Sequence, residues 1–249
     1  MNTFRQSQIR DFIEKNYVVT IKQLQDLIPN VSLMTIHRDL DTLEQLGVVV
    51  KIRGGARAVR HSGDLGFDVR IRENISGKVQ MADKAVALIR QGSSVFMDAS
   101  TTNLILARSL PDIPMNVITT GPNIAIELCK HANVNITLCC GTVNRTNMSL
   151  FGQNTLDMLS QMNIDMAFIG VSGCSAESGF TCGTEADMVI KHAVIQKART
   201  SIVMCDRTKF SRLMPYTFAK FSDVEYLISD GEIPEGIRQA AIAENVVVL

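Results

Sequence analysis

The 249-residue sequence lacks the features that mark membrane, secreted and metal-binding proteins. Its apolar runs, such as VVVL at the C-terminus, are far shorter than the roughly 20 residues that cross a bilayer. The N-terminal stretch mixes charges throughout and has no continuous apolar segment typical of a signal peptide. The six cysteines form no C-x-x-C pair, and no histidine stands at zinc-ligand spacing from them. We therefore expect a cytoplasmic protein with reduced thiols and without a membrane partner, metal or cofactor.

The composition instead indicates a folded chain with an uneven charge distribution. Hydrophobic residues make up 46% and charged residues 20%, enough apolar surface for one large domain or two unequal ones. Residues 1–60 carry nine Lys/Arg against six Asp/Glu, whereas residues 61–249 carry sixteen against nineteen. This imbalance is a weak indication that the N-terminal segment has a polyanionic partner.

The first sixty residues predict three helices and a hairpin. Apolar residues recur at helical spacing up to Ile13, and Thr20 with Gln23 forms a capping-box pattern before a second helix. Ser32 caps a third helix, which Gly47 ends. Two short strands follow around an Arg-Gly-Gly turn, so residues 1–60 predict a winged helix-turn-helix, although a generic helical bundle would show the same periodicity.

The remaining chain predicts a different architecture. Residues 61–76 show no steady period and are interpreted as a linker. From residue 77 to 249, short apolar strands alternate with amphipathic helices, which is typical of an α/β domain with a mostly parallel sheet. We expect this larger domain to mediate self-association as well.

In a helix-turn-helix, the start of the second helix of the motif reaches the bases, and a basic wing lies along the phosphates. The outward face of the third helix and the hairpin supply side chains of these kinds. The candidate DNA-binding residues are Ser32, Met34, Thr35, His37, Arg38, Lys51, Arg53 and Arg57, with Arg60 at the end of the wing.

Polar residues also follow the predicted strands of the larger domain. Ligands of open α/β sheets bind beyond the carboxyl ends of the strands, where hydroxyls and helix starts receive anions. These strand ends carry Asp98, Ser100, Thr101, Thr102, Thr120, Gly141, Arg145, Gly170, Asp206 and Lys209.

These residues resemble a known family. VSLMTIHRDLDTLEQLG (31–47), followed by VVVKIRGGARAV (48–59), is similar to the signature of DeoR-type bacterial transcription regulators, with His37 where that family usually has arginine. DASTT (98–102), CGTVNR (140–145), EADMVIK (185–191) and DRTKF (206–210) resemble motifs of the same family's sensor half.

The resemblance implies a winged helix-turn-helix followed by a sensor domain similar in fold to ribose-5-phosphate isomerase and CoA transferases. It also implies a dimeric or tetrameric repressor of a carbohydrate operon that binds operator DNA and a phosphorylated sugar. It adds Glu185 and Lys191 to the effector-binding set. The resemblance further predicts that the phosphate lies against Ser100–Thr102, with Arg145 and Lys209 adding positive charge.

Two other functions remain open from the residues alone. A sugar-phosphate isomerase or deaminase would use Asp98, Glu185, Asp206 and Lys209 as acids and bases. A basic winged helix is of no use to such an enzyme and favours the regulator. A redox protein using the cysteines lacks the spacing that a metal would need.

Overall fold

The computed structural model describes residues 3–16, 18–46, 48–58 and 66–249. The chain divides into two compact units, residues 1–61 and 62–249. The predicted positions of Gly47 and Arg60, and residues 61–65 of the predicted linker, lie outside the described residues.

The N-terminal unit has the predicted helical motif and a small antiparallel sheet. Its elements are α1 (Thr3–Asn16), β1 (Val18–Thr20), α2 (Ile21–Leu27), α3 (Leu33–Gln45), β2 (Val49–Ile52) and β3 (Gly55–Ala58). The strands pair in the order β1-β3-β2. Strand β1 was not predicted, because three residues are too short for a period to show. It fits beside β3 only because Gly55 has no side chain, since a Cβ there would lie 2.0 Å from the Val19 carbonyl oxygen.

Local sequence signals account for the ends of these helices. Thr20 and Gln23 form the predicted capping box, in which the Thr20 amide donates to Gln23 Oε1 at 2.8 Å. Ile36 and Leu40 are fully buried, as their spacing predicts, whereas Leu33 and Leu46 at the two ends of the same pattern are each 48% exposed.

The C-terminal unit is an α/β domain, as predicted. Its elements in chain order are α4 (Phe67–Arg70), α5 (Ile75–Val86), β4 (Ser94–Met97), α6 (Thr101–Ser109), β5 (Met115–Thr119), α7 (Pro122–Leu128), β6 (Val134–Leu138), β7 (Thr142–Asn144), β8 (Ser149–Phe151), α8 (Gln153–Ser160), β9 (Met166–Gly170), β10 (Gly173–Ser175), β11 (Gly179–Cys182), α9 (Glu185–Lys197), β12 (Thr200–Met204), β13 (Tyr216–Ala219), β14 (Tyr226–Ile228), α10 (Glu235–Ala243) and β15 (Val247–Val248).

Seven of these strands form one parallel sheet in the order β15-β14-β12-β9-β4-β5-β6. Both faces of the sheet are covered: Val95 and Met97 of β4 pack into one apolar cluster with α5 and α6, and Phe96 packs into the other with α9. This two-sided burial explains why the strands are apolar runs rather than alternating patterns.

Three segments differ from the predicted loops. The stretch 141–152 contains the β7–β8 hairpin, the stretch after Gly170 contains β10 and β11, and β13 completes an antiparallel sheet with them. Helix α4 is a four-residue ordered piece inside the segment 61–76, which is interpreted as a connecting segment. Elements of three or four residues carry too little periodicity to be recognised in a sequence.

Candidate DNA-binding face and effector cleft

The start of α3 is organised by Ser32. Its hydroxyl accepts a hydrogen bond from the Thr35 amide at 3.3 Å and lies 2.9 Å from the Thr35 hydroxyl. The cap satisfies an amide that the first turn leaves without a helical partner, and Ser32 remains exposed. Backbone and hydroxyl donors of this kind suit a phosphate at a helix start.

Beyond the cap, the outer face of α3 presents unburied side chains. Met34 is 71% exposed, and His37 and Arg38 are exposed as well. Ile36 and Leu40 hold the opposite face in the core. Helix α3 is therefore amphipathic: one face packs in the core and the opposite face is exposed to solvent.

The buried Asp39 fixes how α3 lies against α1. Its carboxylate accepts from Arg5 Nε at 2.5 Å and Nη2 at 3.1 Å, and from Gln6 Nε2 at 3.0 Å. Sequence reasoning did not assign this residue. A carboxylate within the apolar stripe of a helix is the signal that could have identified a buried partner.

The wing residues differ in how free their charges are. Arg53 is exposed at the turn, where Gly54 adopts a φ of +80°. Arg57 on β3 is half-buried. Lys51 is tied back to α3, because its ammonium pairs with Asp41 and its amide donates to Glu44 Oε1 at 2.7 Å. Of these three cations, Arg53 is thus the most available for a phosphate.

In the C-terminal unit, Asp98 stands directly after β4 and is buried. Oδ1 accepts from the Ser100 amide at 3.0 Å and from Asn103 Nδ2 at 2.7 Å. Oδ2 accepts from the Gly170 amide at 3.0 Å and from Lys191 Nζ at 2.8 Å. Burial alone would raise the pKa of Asp98, but the Lys191 charge and these hydrogen bonds hold it below its usual range.

Lys191 of α9 is the buried partner of Asp98. Its ammonium also donates to the Gly170 carbonyl at 2.5 Å and lies 5.2 Å from the centre of the Phe218 ring. Burial by itself would lower the pKa of Lys191, but the charges of Asp98 and Asp187 raise it above its usual value. The ammonium therefore stays charged and is largely neutralised by Asp98.

Gly170, at the end of β9, allows the two strand ends to meet. A Cβ at this position would lie 2.5 Å from Ser100 Cβ and 2.6 Å from Ser100 Oγ. Ser100 in turn caps α6 by accepting from the Asn103 amide at 3.2 Å. Any side chain at position 170 would push the cap of α6 away from the sheet.

These strand ends border a small open cleft. Four of the predicted effector residues, Asp98, Ser100, Gly170 and Lys191, line it. The other lining residues, which sequence reasoning did not assign, are Arg70, Ala99, Asn147, Val171, Ser172 and Asp187. Arg70 comes from α4 and Asn147 from the β7–β8 hairpin, two segments that were predicted as linker and loop. Ala99, Val171 and Ser172 follow the ends of β4 and β9, and Asp187 lies in the first turn of α9.

The remaining predicted effector residues do not line this cleft. Thr101, Thr102 and Thr120 are buried behind it, whereas Gly141, Arg145 and Glu185 are exposed elsewhere on the unit. Asp206 caps a 3-10 turn by accepting from the Thr208 amide at 2.9 Å. Lys209 Nζ lies 3.9 Å from Glu73 Oε2.

The last two residues belong to a buried charged cluster around Lys78 of α5. Lys78 Nζ donates to the carbonyl oxygen of Glu73 at 2.8 Å and to that of Arg70. Burial lowers the pKa of Lys78 to about 8, partly countered by Asp206 and Glu73 and reinforced by Lys209 and Arg70. The ammonium thus holds the carboxyl end of α4 in place.

The six cysteines are free thiols. Cys139, Cys174, Cys182 and Cys205 are buried, and burial raises the pKa of Cys139 to about 12. Among the described residues, no three His, Cys, Asp or Glu side chains come close enough to hold a metal ion. In the same residues, no helix has the length and hydropathy needed to span a bilayer.

Two family models match the chain along most of its length. Residues 5–62 match the DeoR-like helix-turn-helix domain, and residues 73–231 match the DeoR C terminal sensor domain. The HTH-type transcriptional repressor GlcR of Bacillus subtilis is 31% identical over 89% of this chain and 86% of its own. The L-fucose operon activator of Escherichia coli is 28% identical over 92% of this chain and 96% of its own.

The chain belongs to the DeoR family of transcription regulators. It is a DNA-binding regulator and not an enzyme, and its sensor domain implies an effector ligand. Among solved structures, ribose 5-phosphate isomerase A from Methanocaldococcus jannaschii is similar, with a TM-score of 0.42 and 16% identity over 55% of each chain.

Proposed function

We propose that this regulator is a homo-oligomeric repressor of a carbohydrate-metabolism operon and that a phosphorylated sugar or related metabolite controls it. The relative GlcR carries the name of a repressor, whereas the L-fucose operon relative is an activator. The sign of regulation is therefore part of the proposal and needs its own measurement.

The observation that carries the effector proposal is the polar cleft at the carboxyl ends of β4 and β9. Small sugars need hydrogen-bonding groups fixed in place, and here Asp98 and Lys191 are fixed by each other and by Gly170. Asp98 and Gly170 stand at the carboxyl ends of the adjacent strands β4 and β9, and open α/β sheets bind ligands at this edge. Asp98, Ser100, Gly170 and Lys191 are thus the predicted effector residues that the cleft supports.

For the other predicted effector residues, we propose indirect roles or a second contact region. Thr101 and Thr102 form the buried first turn of α6 behind Ser100. Asp206 and Lys209 surround Lys78 and thereby support the wall of the cleft. Lys209→Ala should leave operator binding near that of the wild type and weaken the response to a sugar phosphate.

For DNA, we propose that His37 and Arg38 enter the major groove while Lys51, Arg53 and Arg57 hold phosphates. One helix-turn-helix reads only a few base pairs, so two copies presented to matched half-sites would supply affinity and specificity. The C-terminal unit is the proposed site of self-association. Sedimentation of the full-length chain at micromolar concentration should show a dimer or tetramer; a monomer would contradict this part.

The test of the effector uses a DNA fragment selected by the full-length chain from a random library. A panel of sugar phosphates, each paired with its unphosphorylated sugar, is then added while DNA binding is followed. We expect one phosphorylated member to release the DNA with a coupling of about 1–3 kcal/mol, and the DNA to weaken that ligand reciprocally. Equal release by the unphosphorylated sugar, or tighter DNA binding, would contradict the proposal.

A further inference from the structure

Helix α4 brings a cation to the cleft from the part of the sensor unit nearest in sequence to the DNA-binding unit. Phe67, its first residue, follows the end of the N-terminal unit by only six residues. Arg70, its last residue, lines the cleft. Within the described part of the chain, α4 is therefore the first element of the sensor unit.

The guanidinium of Arg70 has an unmet hydrogen-bonding group at this position. Its Nε is buried and has no hydrogen-bond partner in the structure. A buried donor without a partner is costly, and a charged one more so. Lys191, the other cation that lines the cleft, is already paired with the Asp98 carboxylate at 2.8 Å. Of the two cations that line the cleft, Arg70 would therefore form the stronger interaction with an anionic group bound there.

Hydrogen bonds at both ends connect α4 with its surroundings. The Phe67 amide donates to the Thr146 carbonyl at 2.8 Å, which joins α4 to the hairpin loop whose Asn147 also lines the cleft. Asn147 Oδ1 is occupied by the Ser149 amide and hydroxyl, which leaves its donor end for a ligand. At the other end of α4, Lys78 holds the Arg70 and Glu73 carbonyls.

We propose that Arg70 binds the anionic group of the effector directly and that α4 is the element through which an occupied cleft acts on the DNA-binding unit. The proposal rests on the function proposed above and locates its anion subsite. A phosphate bound by the Arg70 guanidinium adds charge-assisted hydrogen bonds to this cation and holds α4 against the Thr146–Asn147 loop. The anion contacts α4 only when the cleft is occupied, and a differential contact of this kind is what coupling between two sites requires.

The main test compares Arg70→Gln with Arg72→Gln in the full-length chain. Arg72 is exposed two residues further on, so both variants lose the same charge from the same segment. The readouts are thermal stabilisation by inorganic phosphate and DNA release by the active sugar phosphate. We expect Arg70→Gln to raise the half-effective concentration of both probes at least about tenfold, and Arg72→Gln to leave it unchanged.

Arg70→Lys separates binding from a merely structural role, because it keeps the charge but loses the forked donor geometry. Partial recovery of the phosphate response by this variant supports direct contact. Equal responses of Arg70→Gln and the wild type would overturn the proposal while leaving the proposed function intact. A wild-type protein that responds to no phosphorylated compound would overturn both.

A second pair of variants tests the coupling step. Phe67→Pro and Phe67→Ala both remove the aromatic ring, but only proline removes the amide that donates to Thr146. Proline fits the first turn of a helix, and Gly66 before it has the extended ψ of 153° that proline requires. We expect both variants to bind the sugar phosphate and only Phe67→Pro to lose DNA release. Unimpaired release by Phe67→Pro would overturn the coupling role of α4.

Discussion

The candidate DNA-binding face and the candidate effector cleft differ in the exposure and hydrogen bonding of their polar side chains. On α3, His37 and Arg38 stand in solvent, and the structure supports them only through the buried residues on the far side of the helix. In the cleft, Asp98 is buried and both of its oxygens accept two hydrogen bonds each. In the function proposed above, DNA supplies the partners of His37 and Arg38, whereas the protein itself supplies the partners of Asp98.

This difference determines which substitutions damage the fold. A solvated side chain on a recognition helix can be removed with little effect on stability, because it leaves no buried group unpaired. Removing one member of the Asp98–Lys191 pair leaves the other charge buried and alone. Loss of function should therefore have distinct causes in the two units.

The largest effect is expected for Asp98→Asn. The change leaves the Lys191 ammonium buried without its counter-charge, which costs about 3–5 kcal/mol in comparable buried pairs. Hydrogen exchange of the β4 and β9 amides would measure the loss. Asp83→Asn makes the same chemical change at an exposed position of α5 and should alter exchange by less than about 0.5 kcal/mol. Similar effects of the two variants would show that the pair contributes little.

The contrast also explains what the sequence could predict. The exposed face of α3 follows from helical periodicity within one short segment, because Ile36 and Leu40 indicate the inward side and so define the outward one. The α/β class of the larger unit follows in the same way from alternating apolar segments. Local order along the chain is sufficient for both.

The cleft depends on contacts that no local pattern contains. Asp98 meets Gly170 across 72 residues and Lys191 across 93 residues. The resemblance to the family indicated these residues, but not that Arg70 and Asn147 would join them. Arg70 and Asn147 both lie in segments without recognisable periodicity. The cleft that they line forms only because the sheet order places β4 beside β9, so that Asp98 and Gly170 meet at the carboxyl edge of the sheet. Thr120 and Arg145 follow the strand-end rule and still do not line the cleft, and neither does Glu185, which the resemblance indicated.

Asp39 allows the same test within the DNA-binding unit. Asp39→Asn weakens the charge-assisted bonds to Arg5 and Gln6, which we expect to cost about 1.5–3 kcal/mol. Hydrogen exchange of the α3 amides should report the loss. Asp41→Asn, two residues along the same helix, breaks only the partly exposed pair with Lys51 and should cost at most about 1 kcal/mol. A larger loss of stability for Asp41→Asn than for Asp39→Asn would show that the exposed pair contributes more than the buried one.

On the DNA face, Arg38 and Arg53 should respond differently although both carry one exposed charge. Arg38→Ala should cost about 1–3 kcal/mol at the selected site and relax base preference there, because a groove contact is specific. Arg53→Ala should weaken binding to all sequences and flatten the salt dependence by about one unit of slope. Titrations against selected and random duplexes at several salt concentrations would separate them. Identical profiles would contradict the assignment of groove and wing.

An effect that depends on pH is expected from the titration of Lys78 in the cluster beneath α4. Its pKa is lowered to about 8, whereas the unfolded chain has the ordinary value of 10.5. Between these values the unfolded state binds more protons, so the Lys78 contribution to stability must rise with pH and be least favourable below about pH 8. The limiting slope is about 1.4 kcal/mol per pH unit.

Urea unfolding of the wild type and Lys78→Met across this pH range would isolate that contribution, because the buried thiols titrate alike in both proteins. The difference in unfolding free energy should grow in favour of the wild type as the pH rises. Lys84→Met is the matched control, since Lys84 lies on the same helix, donates to the Ser229 carbonyl at 2.7 Å and is exposed. A pH-independent difference for Lys78→Met would mean that burial does not lower the pKa of Lys78. The carbonyl oxygens of Arg70 and Glu73 would then compensate the ammonium for the water that it loses on burial.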